Sequence, residues 1–310
     1  MWNTMKVALI TAMALLTAVS MARADDFGVL VMAHGGDATW NREVEGMLSP
    51  LARDYPLEIA FGMADAKSLQ DSVNRLEARG VRRIGVARLF TSGESWYERT
   101  EQILGLRSGA PQRPSHEGDN QHGPGGHGGA HMAFWRISSN AVFAVSTQGL
   151  SDAPEMGAVL VERARALSRD PRSEGVLVIA HGAEADDENQ RWLTKIDAQA
   201  EAVRQALPFR RVQVETLRED WPEKRKIAEA RIHAFVLEAG QNGGRAIVIP
   251  YRIQGFGPYA KVLEGLSYVS DGKGLIPSVE IEHWVRRQAQ ELRAGSFRPP
   301  QADADEHAAH

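Results

Sequence analysis

At 310 residues the chain is long enough for two domains of ordinary size, and its 43% hydrophobic and 25% charged residues are the make-up of a soluble globular protein. A formal net charge of −4 gives no reason to expect nucleic acid or an anionic membrane surface as a partner. There is no cysteine, which excludes disulfides, iron–sulfur clusters and thiolate sites or nucleophiles, so a metal would have to be held by His, carboxylate, Met or backbone oxygen.

Residues 1–24 read as a cleaved secretory signal. Lys6 supplies the positive start, Val7 to Val19 the apolar stretch, and Ala22-Arg23-Ala24 a small-x-small cleavage site before Asp25. That stretch is shorter than the roughly 20 residues that span a bilayer. The expectation is a periplasmic or secreted protein with no membrane attachment after cleavage.

Residues 28–36, Gly-Val-Leu-Val-Met-Ala-His-Gly-Gly, open the mature chain with an apolar run ending in His-Gly. Such a run predicts a strand buried on both faces in a parallel sheet. A helix is expected over 41–54, a strand over 57–61, an amphipathic helix carrying Leu69, Val73 and Leu76, and a third strand over 81–90. Residues 107–133 are too rich in Gly, Pro and His to build a core and read as a flexible insert. A fourth strand over 141–145 and a helix over 154–167 follow.

The order then repeats. Residues 175–182 read Gly-Val-Leu-Val-Ile-Ala-His-Gly, and a helix carrying Trp192, Ile196, Ala200 and Val203 comes next. A strand over 212–216, a helix opened by Pro222 and a strand over 246–250 lead to a last strand over 275–281 and a helix over 282–292. The chain therefore reads as a signal peptide (1–24), two α/β domains (25–150, with the insert at 107–133, and 151–296) and a disordered tail (297–310). Each domain is expected to be a mostly parallel sheet flanked by helices.

His34 and His181 end the two doubled strands, where open α/β sheets bind ligands. Imidazole can hold a borderline metal ion or take up a proton near neutral pH. Both histidines are candidates for a site.

The run Val-Met-Ala-His-Gly-Gly with Asn41 downstream resembles the class II tetrapyrrole chelatases of the sirohydrochlorin type. So do Ala60-Phe61-Gly62, the segment Ser68 to Leu76 and Gly80-Val81-Arg82-Arg83-Ile84-Gly85-Val86. The likeness spans nearly all of 27–293 outside the insert. It implies two tandem chelatase-like domains that insert a divalent metal (Co²⁺, Ni²⁺ or Fe²⁺, as substrate) into a tetrapyrrole, with no organic cofactor. By the resemblance His34 is the metal ligand and general base.

Members of that family carry a second histidine after the third strand, and this chain departs there. Ser95 stands at that place in the first half, with Glu94 beside it, and Gly257 in the second. Glu94 is thus the candidate second catalytic group, and His34, Glu94 and His181 are the candidate metal ligands. Arg88 and Arg252 are candidates for meeting tetrapyrrole carboxylates, and Trp96, Tyr97, Phe256 and Tyr259 for walling a flat ring.

His116, His122, His127 and His131 in the insert suit accessory metal capture, at spacings of 6, 5 and 4 that match no defined zinc motif. With the export signal they support an alternative: a non-catalytic periplasmic metal-binding or delivery protein on the same fold. The expected partners are a tetrapyrrole and a metal ion, and the sequence leaves the oligomeric state open.

Overall fold

The computed structural model describes residues 26–114 and 132–301. The expected signal segment, the four insert histidines and the tail from 302 onward lie outside the described residues.

The first half runs β1 (Phe27–Ala33), α1 (Ala38–Leu48), β2 (Leu57–Phe61), α2 (Ala66–Ala78), β3 (Arg83–Leu89), α3 (Tyr97–Ile103) and β4 (Val142–Val145), then α4 (Glu155–Leu167). The second runs β5 (Glu174–Ala180), α5 (Asp186–Ala206), β6 (Arg211–Thr216), α6 (Pro222–Ala239), β7 (Arg245–Tyr251), α7 (Tyr259–Val262), β8 (Tyr268–Val269) and α8 (Val279–Ala294). Each half holds a four-stranded sheet, in the orders β2-β1-β3-β4 and β6-β5-β7-β8, with every pair parallel. This is the doubled α/β arrangement expected from the sequence.

β1 and β5 lie inside their sheets and every residue in them is buried, which is why they read as unbroken apolar runs. Leu69, Val73 and Leu76 of α2 face the first sheet with no exposed surface, as their spacing predicts.

Three details differ from the sequence reading. The last strand is not at 275–281 but at Tyr268–Val269; Leu275 and Ile276 instead donate their N–H groups to the carbonyls of Arg252 and Ile253 beyond the end of β7. Helix α8 therefore starts at Val279, where the Ser278 side chain caps it. The tail is ordered as far as it is described. Phe297 packs edge-on against Phe27 at 6.1 Å, Arg298 exchanges backbone hydrogen bonds with Phe143, and Gln301 donates to the Gly105 carbonyl. The polar composition after 297 hid one anchoring aromatic residue.

The third difference concerns the terminal helices. Helix α4 packs on α5, β7 and α8, whereas α8 crosses back to lie on β3, β1 and β4 of the first sheet. Each half thus borrows its last helix from the other. One continuous core results, running from Phe27, Val29 and Val31 through Leu160 and Trp284 to Val176 and Val178. Among the described residues no helix is long and apolar enough to cross a membrane.

Candidate functional site

Both His-Gly motifs form the same local structure. β1 ends at Ala33 and β5 at Ala180, so His34 and His181 are the first residues past the C-terminal edge of each sheet. Gly35 (φ +81°) and Gly182 (φ +87°) then turn the chain through the left-handed region, which explains the glycine after each histidine. An asparagine on the following helix closes each loop: Asn41 Oδ1 accepts from Gly36 N–H at 2.9 Å, and Asn189 Oδ1 from Ala183 N–H at 3.2 Å.

The rings are held alike. Nδ1 lies 2.9 Å from the Gly35 carbonyl in His34 and 2.7 Å from the Gly182 carbonyl in His181. A carbonyl only accepts, so Nδ1 carries the hydrogen in both rings, and in His34 the lone pair of the neutral ring is left on Nε2. That is the tautomer that binds a metal or a proton through Nε2.

Beyond that the two histidines differ. His34 is exposed, and among the described residues no carboxylate pairs with it. His181 is partly buried, and its Nε2 lies 3.1 Å from Asp220 Oδ2, a contact that needs a hydrogen, or an ion in its place, between the two atoms. Trp192 and Trp221 flank this ring, at centroid distances of 6.5 and 5.9 Å. Asp220 sits in the loop after β6, which is tied to the loop after β5. Arg218 N–H donates to the His181 carbonyl at 2.8 Å, and the Arg218 side chain reaches the Glu184 carbonyl and the Asp186 carboxylate.

Asp220 escaped the sequence reading. Its signal was there: Arg-Glu-Asp-Trp follows directly on a strand, at the sheet edge where sites form. The helix opening at Pro222 drew these residues into a connector.

Glu94 has a different partner from the one expected. Both its oxygens are taken by Arg191 of α5, at 3.0 Å (Nε to Oε1) and 2.8 Å (Nη2 to Oε2). His34, Glu94 and His181 accordingly do not converge on one ion, and among the described residues no three His, Asp or Glu side chains do. The two histidines head separate sheets, and Glu94 is drawn to the guanidinium.

The other candidates are mostly structural. Arg88 is 1% exposed and donates to the carbonyls of Ser146, Ser95 and Gly93, so it shapes the loop after β3 and cannot meet a ligand carboxylate. Burial lowers its pKa to about 10, which keeps it charged at neutral pH. Arg252 is paired with Glu219, and Tyr259 is fully buried beneath Phe256. Tyr97 donates to Glu101 at 3.0 Å under the Arg88 guanidinium. The aromatic residues that stand beside a candidate histidine are Trp192 and Trp221.

The loops of the two halves meet. A Cβ on Gly36 would lie 2.7 Å from Gln254 Nε2, so the loop after β1 abuts the loop after β7. The Glu94–Arg191 pair joins the loop after β3 to α5. The sheet edges carrying the histidines therefore lie toward the junction of the two halves. A hollow of about 370 Å³, between the end of β4 and α8, is lined by Tyr97, Ser146, Gln148, Gln288, Glu291 and Arg298 and contains no histidine.

No protein-family model and no curated protein matches this sequence. Solved structures do resemble it. SirB from Bacillus subtilis with Fe³⁺ superposes with a TM-score of 0.58 at 12% identity, over 86% of this chain and 97% of that one. The sirohydrochlorin chelatase SirB from Bacillus subtilis subspecies spizizenii in complex with cobalt gives 0.53 at 12% identity, over 87% and 98%. DR2241 from Deinococcus radiodurans, a multi-domain protein with structural similarity to chelatases, gives 0.51 at 16% identity, over 89% of this chain and 56% of that one. At these identities the likeness establishes the fold: two tandem chelatase-like α/β halves.

Proposed function

We propose that this chain is a tetrapyrrole metal chelatase, exchanging the two pyrrole N–H protons of a sirohydrochlorin-type macrocycle for one divalent ion, Co²⁺, Ni²⁺ or Fe²⁺. The observation that carries the reading is the His181–Asp220 pair. Chelation needs a group that holds a borderline ion and then accepts a proton, and an imidazole nitrogen beside a carboxylate oxygen does both. The 3.1 Å between Nε2 and Oδ2 is close to the separation of two adjacent ligands on an ion bound at about 2.1 Å. The Gly182 carbonyl orients the ring, and Trp192 and Trp221 provide flat walls beside it.

His34 presents the same Nε2 at the head of the first sheet, so the two protons released have one imidazole acceptor in each half. The fold shared with chelatases supports the same reading. The signal-like composition of residues 1–24 supports an activity outside the cytoplasm, in the periplasm or secreted.

The test is to mix the pure protein with Co²⁺ and a sirohydrochlorin-type tetrapyrrole and follow the absorption spectrum. The expected result is insertion faster than without protein, lost in His181→Ala and slowed in Asp220→Asn and His34→Ala. A rate equal to the protein-free rate removes the enzyme reading. Tight metal binding without insertion would leave the delivery protein in its place.

A further inference from the structure

Arg218 is a costly residue for the place it occupies. Its backbone is left-handed (φ +58°), which disfavours any residue with a side chain. Its side chain is buried, and among the described residues its Nε–H has no hydrogen-bond partner. A buried donor left unsatisfied destabilises the fold, and such departures gather at functional sites.

What surrounds Arg218 is the loop that carries His181. The Arg218 N–H donates to the His181 carbonyl at 2.8 Å. Its aliphatic stem lies over Gly182, where a Cβ would come within 3.2 Å of Arg218 Cδ. The guanidinium reaches on to the Glu184 carbonyl and, at 2.9 Å, to Asp186 at the start of α5. The next two residues extend the same loop. Glu219 pairs with Arg252, the first residue past β7, and Asp220 meets His181. Because β5 lies between β6 and β7, the loop after β6 crosses the end of β5, where His181 stands.

The first half has the same turn without these contacts. Counted from the ends of β2 and β6, Met63 stands at the place of Arg218, Ala64 at that of Glu219 and Asp65 at that of Asp220. Met63 is left-handed as well (φ +60°), so the turn itself does not call for an arginine. Its N–H goes to the Ala33 carbonyl at 3.2 Å, one residue short of the histidine. Asp65 is occupied elsewhere, accepting from the Ser68 and Ala133 N–H groups.

We infer that Arg218 is a positioning residue for the metal site. It fastens the loop after β6 onto the loop after β5, so that the Asp220 carboxylate and the His181 imidazole stand at the spacing of two ligands on one ion. It acts through those two side chains rather than on the ion. The inference rests on the reading that His181 and Asp220 share an ion.

The test uses the full chain and Co²⁺ alone, with affinity from calorimetry and ligand geometry from the visible spectrum of the bound ion at saturation. Arg218→Met introduces the side chain that the first half carries at this place. It should weaken Co²⁺ binding by about 10–100-fold and alter the spectrum at saturation, which a mere loss of stability would not do. Arg218→Lys should restore most of the affinity, since the Lys224 ammonium already bonds the same two acceptors at 2.6 and 2.8 Å. Asp186→Ala releases the guanidinium from an exposed carboxylate without disturbing the core, and should weaken binding in the same direction. Wild-type affinity and spectrum in Arg218→Met, or in Asp186→Ala should Arg218→Met not fold, overturn the inference alone, provided binding is still lost in His181→Ala. Co²⁺ binding that survives His181→Ala unchanged removes the shared-ion reading, and the inference with it.

Discussion

Arg191 and Glu94 form a two-pronged ion pair that joins α5 of the second half to the loop after β3 of the first. The third guanidinium prong holds Asp187 at 2.9 Å, one turn back on the same helix. Two further positions on this face of α5 continue the contact. Lys195 reaches Asp152 at 2.8 Å, and the buried Gln199 donates to carbonyls at 150–153. The series runs from an exposed clasp to a buried pivot of hydrogen bonds at Gln199.

The clasp should matter more for what Glu94 is free to bind than for stability. With 46% and 43% of the two side chains exposed, Arg191→Ala should leave the melting temperature nearly unchanged. The variant frees both Glu94 oxygens. If Glu94 is a metal ligand, Co²⁺ affinity by calorimetry should rise in Arg191→Ala and fall in Glu94→Gln. Unchanged affinity in both would confine Glu94 to the clasp.

The same pair sets a pH dependence. The hydrogen bonds from Arg191 hold the Glu94 carboxyl below the usual carboxylate range. A depressed folded value means the contribution is complete above the ordinary glutamate value, about 4.3, and is lost as pH falls through the folded value. The difference in melting temperature between the wild type and Glu94→Gln should therefore be constant from pH 8 to pH 5 and shrink only in more acidic solution.

His181 and Asp220 should act on metal as a unit. Each of His181→Ala and Asp220→Asn is expected to weaken Co²⁺ binding by about 10–100-fold, and the double variant by less than the product of the two. Calorimetry on the four proteins gives the cycle. Full additivity would mean that the two side chains do not share an ion.

How much of this could be read in advance depended on how local the cause was. Strand burial is written into consecutive residues, so β1 and β5 were legible, as was the need for glycine after His34 and His181. Periodicity likewise marked α2 through Leu69, Val73 and Leu76. What failed were relations between distant residues. Nothing local in Val279–Ala294 says that α8 crosses to the other sheet. Glu94 read as a companion to His34 because both follow strands of one sheet, whereas its partner, Arg191, lies 97 positions away. Asp220 was hidden for the same reason, being 39 positions from His181.

The pivot can be weakened without touching either histidine. The Tyr251 hydroxyl is fully buried against the Leu150 carbonyl, at 3.0 Å, and the Gln199 side-chain oxygen. Tyr251→Phe removes the hydroxyl donor from these buried acceptors at little change in volume. Leaving a buried group unsatisfied costs about 1–3 kcal/mol. Urea unfolding should show that loss of stability as a lowered midpoint with an unchanged slope, since the surface exposed on unfolding is the same.

The His-Gly turn makes the last prediction, in which two glycines separate strain from space. Gly182 (φ +87°) and Gly265 (φ +79°) share a left-handed backbone, which costs a side-chain-bearing residue about 1–2 kcal/mol. A Cβ on Gly265 meets nothing within 4 Å, but one on Gly182 would lie 2.7 Å from Asn189 Oδ1 and 2.8 Å from Thr216 Cβ. Gly265→Ala should therefore lose only the conformational term. Gly182→Ala should lose clearly more, because the new methyl pushes on the asparagine that closes the loop and on the end of β6 beside Asp220. It should also weaken Co²⁺ binding, by displacing the carbonyl that orients His181. Equal losses of stability in the two variants would mean that the loop after β5 yields freely, and that His181 is not held as tightly as its hydrogen bonds imply.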